Sequence, residues 1–156
     1  MVLPLTNVPV EVNDFEQTAI IANVSLSKPH EGKAYERFTD TGPLALLPMT
    51  EQRSSLVWSV RSDEVDAIMA LSDDAFLLRL QQRFGYRLGK FTKTGQRFSY
   101  PLLLTEALEP TQHRSIVVCN AAHALHPISC QGYTLGLRDV AVLTNQIAQA
   151  FLGERE

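Results

Sequence analysis

Cysteine is scarce: Cys119 and Cys130 are the only two in 156 residues. Two thiols do not make the disulfide framework of a small secreted fold, and their separation of eleven positions excludes a C-x-x-C redox pair. A reducing, cytoplasmic setting is therefore expected. Runs of one charge are also missing. The 14 basic and 17 acidic residues are dispersed and leave a net charge of -3. That excludes the basic stripe of a nucleic-acid binder and the polybasic patch of an anionic-membrane binder. Apolar runs are short and interrupted by Arg, Asp, Glu or Gln, far from the ~20 apolar residues of a spanning helix. The opening MVLPLTNVPVEVNDFEQ has no basic stretch followed by an apolar one, so no signal peptide is expected. The eight glycines, at 32, 42, 85, 89, 95, 132, 136 and 153, never form G-x-G-x-x-G, the dinucleotide-binding fingerprint.

What is present is a chain with 45% hydrophobic residues, enough for a real core. Residues 1–17, with Pro4, Pro9, Asn7 and Asn13, read as a loosely ordered lead-in. Thr18 to Leu26 is apolar and β-branched, a strand signal. Ala34 to Thr39, the LALLPM run ending at Met49, and Ser54 to Val60 with the only Trp, Trp58, add three more. Four strands at short spacing predict an antiparallel meander. GKFTKT and QRFSYPLLL, on either side of Gly95, predict a further hairpin. Ser72 is placed to cap a helix, Asp73 and Asp74 suit its first turn, and Phe76, Leu77, Leu80 and Phe84 recur at helical spacing before Gly85. Ser115 to Asn120 reads as a short buried strand, followed by a helix from about Tyr133 to Phe151. His30 and His113 fall in predicted loops and are expected to be solvated. The chain divides into the lead-in, a β-rich part over 18–105, and a strand–loop–helix unit over 106–156. The fold class expected is mixed α+β and α/β: an antiparallel sheet with a packed helix, then a Rossmann-like strand–loop–helix.

The segment CNAAHALHPISCQGYTLGLRD, Cys119 to Asp139, concentrates the chemistry. His123 and His126 lie in an extended loop before Pro127, without an acidic residue at zinc-ligand spacing, so no metal site is expected. A cysteine nucleophile needs a positioned base and an orienting group. Cys119 falls in the predicted buried strand, where thiols act as small hydrophobes, and no local motif supports Cys130. No side chain is singled out as catalytic. The arrangement of Asn120 at a strand end, Gly132 and a helix start suits a backbone cradle: helix-start N–H groups attract anions and electron-rich carbonyls, and glycine permits close approach. The spacing fits an ordinary strand-to-helix turn equally well.

The same segment resembles the second FAD-binding motif of flavin-dependent aromatic hydroxylases, G-D-A-A-H-x-x-x-P-x-x-G-Q-G-x-N-x-x-x-x-D. The blocks HEGKAYERFTDTGPLALLPM, SSLVWSV, FGYRLGKFTKTGQRFSYPL and NAAHALHPISCQGYTLGLRDV are similar, in order, to the ubiquinone-biosynthesis hydroxylases within that group. The resemblance covers about Thr18 to Phe151. It implies that 18–105 is a substrate-binding sheet and 106–156 the C-terminal part of an FAD-binding domain, with the G-x-G-x-x-G unit lying outside this chain. It implies FAD as cofactor, NAD(P)H as co-substrate and a polyprenyl phenol as substrate. Asn120 would contact the ribityl and phosphate region, Pro127 would lie against the flavin ring, and Gln131, Gly132, Tyr133 and Thr134 would face its N1–C2=O edge. Gly42, Pro43 and Leu47 would line the substrate side, with Tyr35 and Trp58 as core or pocket wall. Arg138 and Asp139 would tie the helix to its neighbours.

Four positions depart from the pattern. Cys119 and Cys130 replace glycines, Asn120 replaces Asp, and Thr134 replaces Asn. A Cβ at Cys130 is expected to cost about 1 kcal/mol if the backbone there is left-handed. The alternative to an enzyme segment is a noncatalytic binding or assembly module of the same fold. It would associate with itself or with other ubiquinone-pathway proteins through the apolar face of the last helix. A polyprenyl substrate also implies peripheral contact with a membrane surface, the inner membrane in a bacterial setting.

Overall fold

The computed structural model describes residues 8–128 and 131–153. Two compact units divide the chain: Glu16–Leu102 forms one, and Met1–Phe15 with Leu103–Glu156 forms the other.

The unit Glu16–Leu102 is built on strands β1 (Val10–Leu26), β2 (Tyr35–Thr39), β3 (Gly42–Pro48), β4 (Arg53–Arg61) and β5 (Phe91–Thr94), with helices α1 (Val65–Met69) and α2 (Asp73–Phe84). All pairings described among these strands are antiparallel, in the order β2-β3-β4-β1, and β5 also pairs with β1. Alternation along the strands sends Ile20, Ala22 and Val24, Leu44 and Leu46, and Leu56, Trp58 and Val60 to one face. There they pack with Ile68, Phe76, Leu80 and Phe84 from the helices. Each fully buried Leu, Ile or Phe contributes roughly 1.5–3 kcal/mol. Trp58 is 1% exposed and its ring meets Phe76 at 5.9 Å, so it belongs to this core.

Helix α2 starts and stops where its sequence says. The Ser72 hydroxyl accepts from the Ala75 N–H at 3.3 Å, and Gly85 ends the helix at φ +90°. Buried Gln81 fastens the chain beyond the helix: its amide donates to the carbonyls of Gly85 and Gly89, and its oxygen accepts from the Phe91 N–H. Arg37 caps the other side by donating to the Phe84 carbonyl at 2.6 Å.

The strand order corrects two expectations. β1 lies beside β4, with Ile20 opposite Trp58, so the first four strands are a β2-β3-β4 meander with β1 added at the far side. β5 and β6 (Phe98–Ala107) are not a hairpin; Val24 pairs with Thr94, and β6 takes its own place next to β1 in the sheet. His30 is a further correction. It is half-buried, its Nε2 lies 2.8 Å from the Met49 carbonyl, and its Nδ1 accepts from Gly32 N–H, so it ties a loop rather than standing in solvent.

In the second unit β1 begins at Val10, inside the stretch read as lead-in; residues 10–17 are strand. The alternation Val10–Glu11–Val12 carried that signal beneath the turn formers around it. Glu16 has φ +54°, a left-handed break where the chain passes from one unit to the other. β7 (Thr111–Gln112) and β8 (Ser115–Ile116) form a small two-stranded antiparallel sheet, and β9 (His123–Ala124) pairs with β6. The segment from Ser115 is therefore not a single buried strand. Ser115 and Ile116 are exposed, and Cys119–Ala121 is a 3-10 turn. Helix α3 spans Gln131–Gly153, and among its described residues only Gly136 is buried.

Candidate functional site

The start of α3 and the turn at Cys119–Ala121 enclose a cavity of about 390 Å³, lined by Cys119, Asn120, Gly132, Tyr133, Gly136, Leu137 and Val140. The helical residues follow from spacing: Gly132, Gly136 and Val140, and Tyr133 and Leu137, recur every four positions and share one stripe. The opposite wall is set by Cys119. Its φ of +56° is a left-handed backbone in a residue with a Cβ, at the position where the resembling pattern carries glycine. Two hydrogen bonds to α3 accompany it. The Cys119 N–H donates to Asp139 Oδ2 at 3.0 Å, and its thiol donates to the Gly136 carbonyl at 3.3 Å. A Cβ added to Gly136 would stand 3.2 Å from Cys119 Sγ, so the bare helix surface there makes room for the thiol. Asp139 Oδ2 also lies 3.5 Å from His123 Nε2, with no hydrogen bond between them. The expected tie from α3 is thus made by Asp139; Arg138 is exposed.

The electrostatics favour electron-rich ligands. α3 is 23 residues long, has no acidic residue in its first turn, and its leading N–H groups have no acceptor within the helix. Gly132 is exposed with nothing within 4 Å of an added Cβ, so a planar group can lie against the backbone. Asn120 supplies both a donor and an acceptor without a charge.

Of the expected cofactor residues, Asn120, Gly132 and Tyr133 meet at this cavity. Gln131 and Thr134 are exposed in the first turn of α3, and Pro127 is half-buried beside His126, whose ring meets Phe15 edge-on at 5.1 Å. Cys130 lies outside the described residues. Gly136, Leu137 and Val140 were not anticipated in the wall; their i+4 and i+8 spacing from Gly132 and Tyr133 was the available signal. No group of three or more His, Cys, Asp or Glu able to hold a metal occurs among the described residues.

Gly42, Pro43 and Leu47 fall in the other unit, on β3. Gly42 has φ +127°, and an added Cβ would stand 2.9 Å from Ser59 Cβ, so it serves the β2–β3 turn. Pro43 and Leu47 lie on the side of β3 opposite the core-facing Leu44 and Leu46. Register extends that face across the sheet, from Ala45 to Val57 to Ile21 and from Leu47 to Ser55 to Asn23.

No family model matches the chain. Ubiquinone hydroxylase UbiL of Rhodospirillum rubrum is 46% identical over 136 residues, covering 87% of this chain and 32% of that protein. The mitochondrial ubiquinone biosynthesis monooxygenase COQ6 of Danio rerio is 27% identical over 184 residues, covering 96% and 38%. Among solved structures, the flavin-dependent brominase Bmp2 superposes with a TM-score of 0.68 at 15% identity, covering 94% of this chain and 39% of that one. The chain therefore spans about a third of the length of the curated relatives it matches. Along most of its length, the chain is a homologue of the ubiquinone-biosynthesis hydroxylases, in a fold shared with flavin-dependent enzymes.

Proposed function

We propose that this chain is the substrate-sheet and flavin-ring portion of an FAD-dependent monooxygenase that hydroxylates a polyprenyl phenol in ubiquinone biosynthesis. The observation that carries the reading is the cavity at the start of α3, where Asn120 faces an acid-free helix N-terminus and an open Gly132. These residues fit the ring end of a flavin. The helix start can stabilise negative charge on the reduced ring, Asn120 can bond the ribityl chain, and Tyr133 and Leu137 supply apolar wall. Bound there, FAD would supply the oxygen chemistry, with electrons from NAD(P)H and dioxygen as oxidant. The residues do not provide a glycine-rich pyrophosphate loop, so the isolated chain holds only one end of the cofactor and is inactive by itself. The β3 face of Pro43, Ala45 and Leu47 would serve as the wall for the phenol. A membrane-embedded polyprenyl tail would bring the whole enzyme to a membrane surface, although no described helix is long and apolar enough to cross one.

Equilibrium dialysis against FAD, riboflavin and ADP tests this. FAD and riboflavin are expected to be retained with similar affinity and ADP not at all. Retention of ADP without riboflavin would contradict the assignment.

A second reading, a noncatalytic assembly module, is favoured by one feature. Tyr133, Leu137, Val142, Ile147, Phe151 and Leu152 on α3 are each about half exposed or more. Light scattering reports it: a concentration-dependent dimer without flavin binding is the outcome that reading requires.

A further inference from the structure

We infer that Asp139 is a positioning residue: by holding Cys119 in a left-handed backbone it fixes the turn that presents Asn120 to the cavity at the start of α3. A left-handed conformation disfavours any residue with a Cβ and persists only where its surroundings enforce it. Here the enforcement comes from one helical turn of α3. Asp139 Oδ2 accepts the Cys119 N–H at 3.0 Å and so pins the start of the loop Cys119–His123, while its far end is held by the strand pairing of His123 with Glu106. Gly136, three residues earlier on the helix, accepts the thiol on its carbonyl and leaves the space a Cβ would fill. The Asp139 carboxylate is only 30% exposed, which strengthens its bond to the amide relative to a surface contact. Asn120 directly follows Cys119, and the 3-10 turn Cys119–Ala121 leaves it exposed at the cavity rim. Asp139 and Gly136 thus form a matched pair for a cysteine at a position that otherwise favours glycine. The consequence for flavin rests on the function proposed above; the clamp itself does not.

The test uses the chain carrying Cys130→Ser, so that Cys119 is the only thiol. Its rate of reaction with a disulfide reagent and the exchange protection of its amide are measured with Asp139 intact, in Asp139→Asn and in Asp139→Ala. Asp139→Ala is expected to accelerate thiol modification about tenfold or more and to remove protection of the Cys119 amide. Asp139→Asn, which keeps an oxygen acceptor, is expected to remain close to the parent. Adding Cys119→Gly to Asp139→Ala is expected to restore part of any lost riboflavin affinity, because glycine holds the turn without help. Unchanged Cys119 reactivity and protection in a folded Asp139→Ala chain would overturn the inference. If that variant does not fold, an unprotected Cys119 amide in the parent would overturn it equally. Failure of wild type to bind flavin would sink the proposed function alone, since thiol and amide readouts judge the clamp without flavin.

Discussion

Single residues carry the site, and two of them separate ligand effects from folding effects. Gly132 sits in the first turn of α3 with open space around an added Cβ. Gly132→Ala removes backbone freedom from the unfolded chain and is expected to leave stability unchanged or raise it by up to about 1 kcal/mol. The added methyl would stand where a flavin approaches, so affinity for riboflavin is expected to fall; thermal melts and dialysis on the same variant check both. Asp40 gives a pH-dependent prediction. The Arg83 guanidinium, donating at 2.6 Å, together with the backbone hydrogen bond of Asp40, holds its carboxyl below the ordinary carboxylate value. A carboxyl lowered on folding stabilises the native state above its unfolded value and loses that contribution as pH falls through the folded one. The gap in melting temperature between wild type and Asp40→Asn is therefore expected to be positive near neutral pH and to close in acid. Because Asp40 is exposed, the gap is expected to be small and to shrink in high salt. At this scale the sequence was legible where local chemistry decides, as at Ser72 and Gly85. It marked Cys119 as a departure from glycine but did not show the carboxylate twenty positions later that accepts its N–H.

Elements whose signals are local formed as read, and the arrangement of elements that needed distant partners was not legible. α2 was legible from its cap, its acidic first turn and the spacing of Phe76, Leu80 and Phe84. Ser72→Ala is expected to cost about 1 kcal/mol, read from the denaturant midpoint. Leu80→Ala, at a fully buried position, is expected to cost about 2–5 kcal/mol and to be the larger of the two by the same measurement. The strands were legible as strands, but their order was not. No pattern within a strand states that β1 prefers β4 over β2; only the match of Ile20, Ala22 and Val24 with Trp58, Leu56 and Ser54 across the sheet does. The short Ser115–Asn120 segment failed for a related reason. Its apolar residues suit a strand covered on both faces, whereas in this unit the strand is the short Ser115–Ile116, paired with β7.

The molecule as a whole divides unevenly in its packing. Glu16–Leu102 owns the continuous core around Trp58 and Phe76, while among the described residues the other unit buries little beyond Val8, Ala107 and Gly136 and leaves most of α3 exposed. The first is expected to persist to higher denaturant than the second, visible as exchange protection that outlasts that of α3. Such a division suits a chain that corresponds to about a third of its curated relatives. The central claim is that the cavity at Asn120 and Gly132 holds a flavin ring, and titrating FAD fluorescence with the wild-type chain tests it most directly. Saturable quenching in the micromolar range, abolished by Gly132→Val with circular dichroism unchanged, is the expected result. A folded wild-type chain that leaves the fluorescence untouched at millimolar concentration would contradict it.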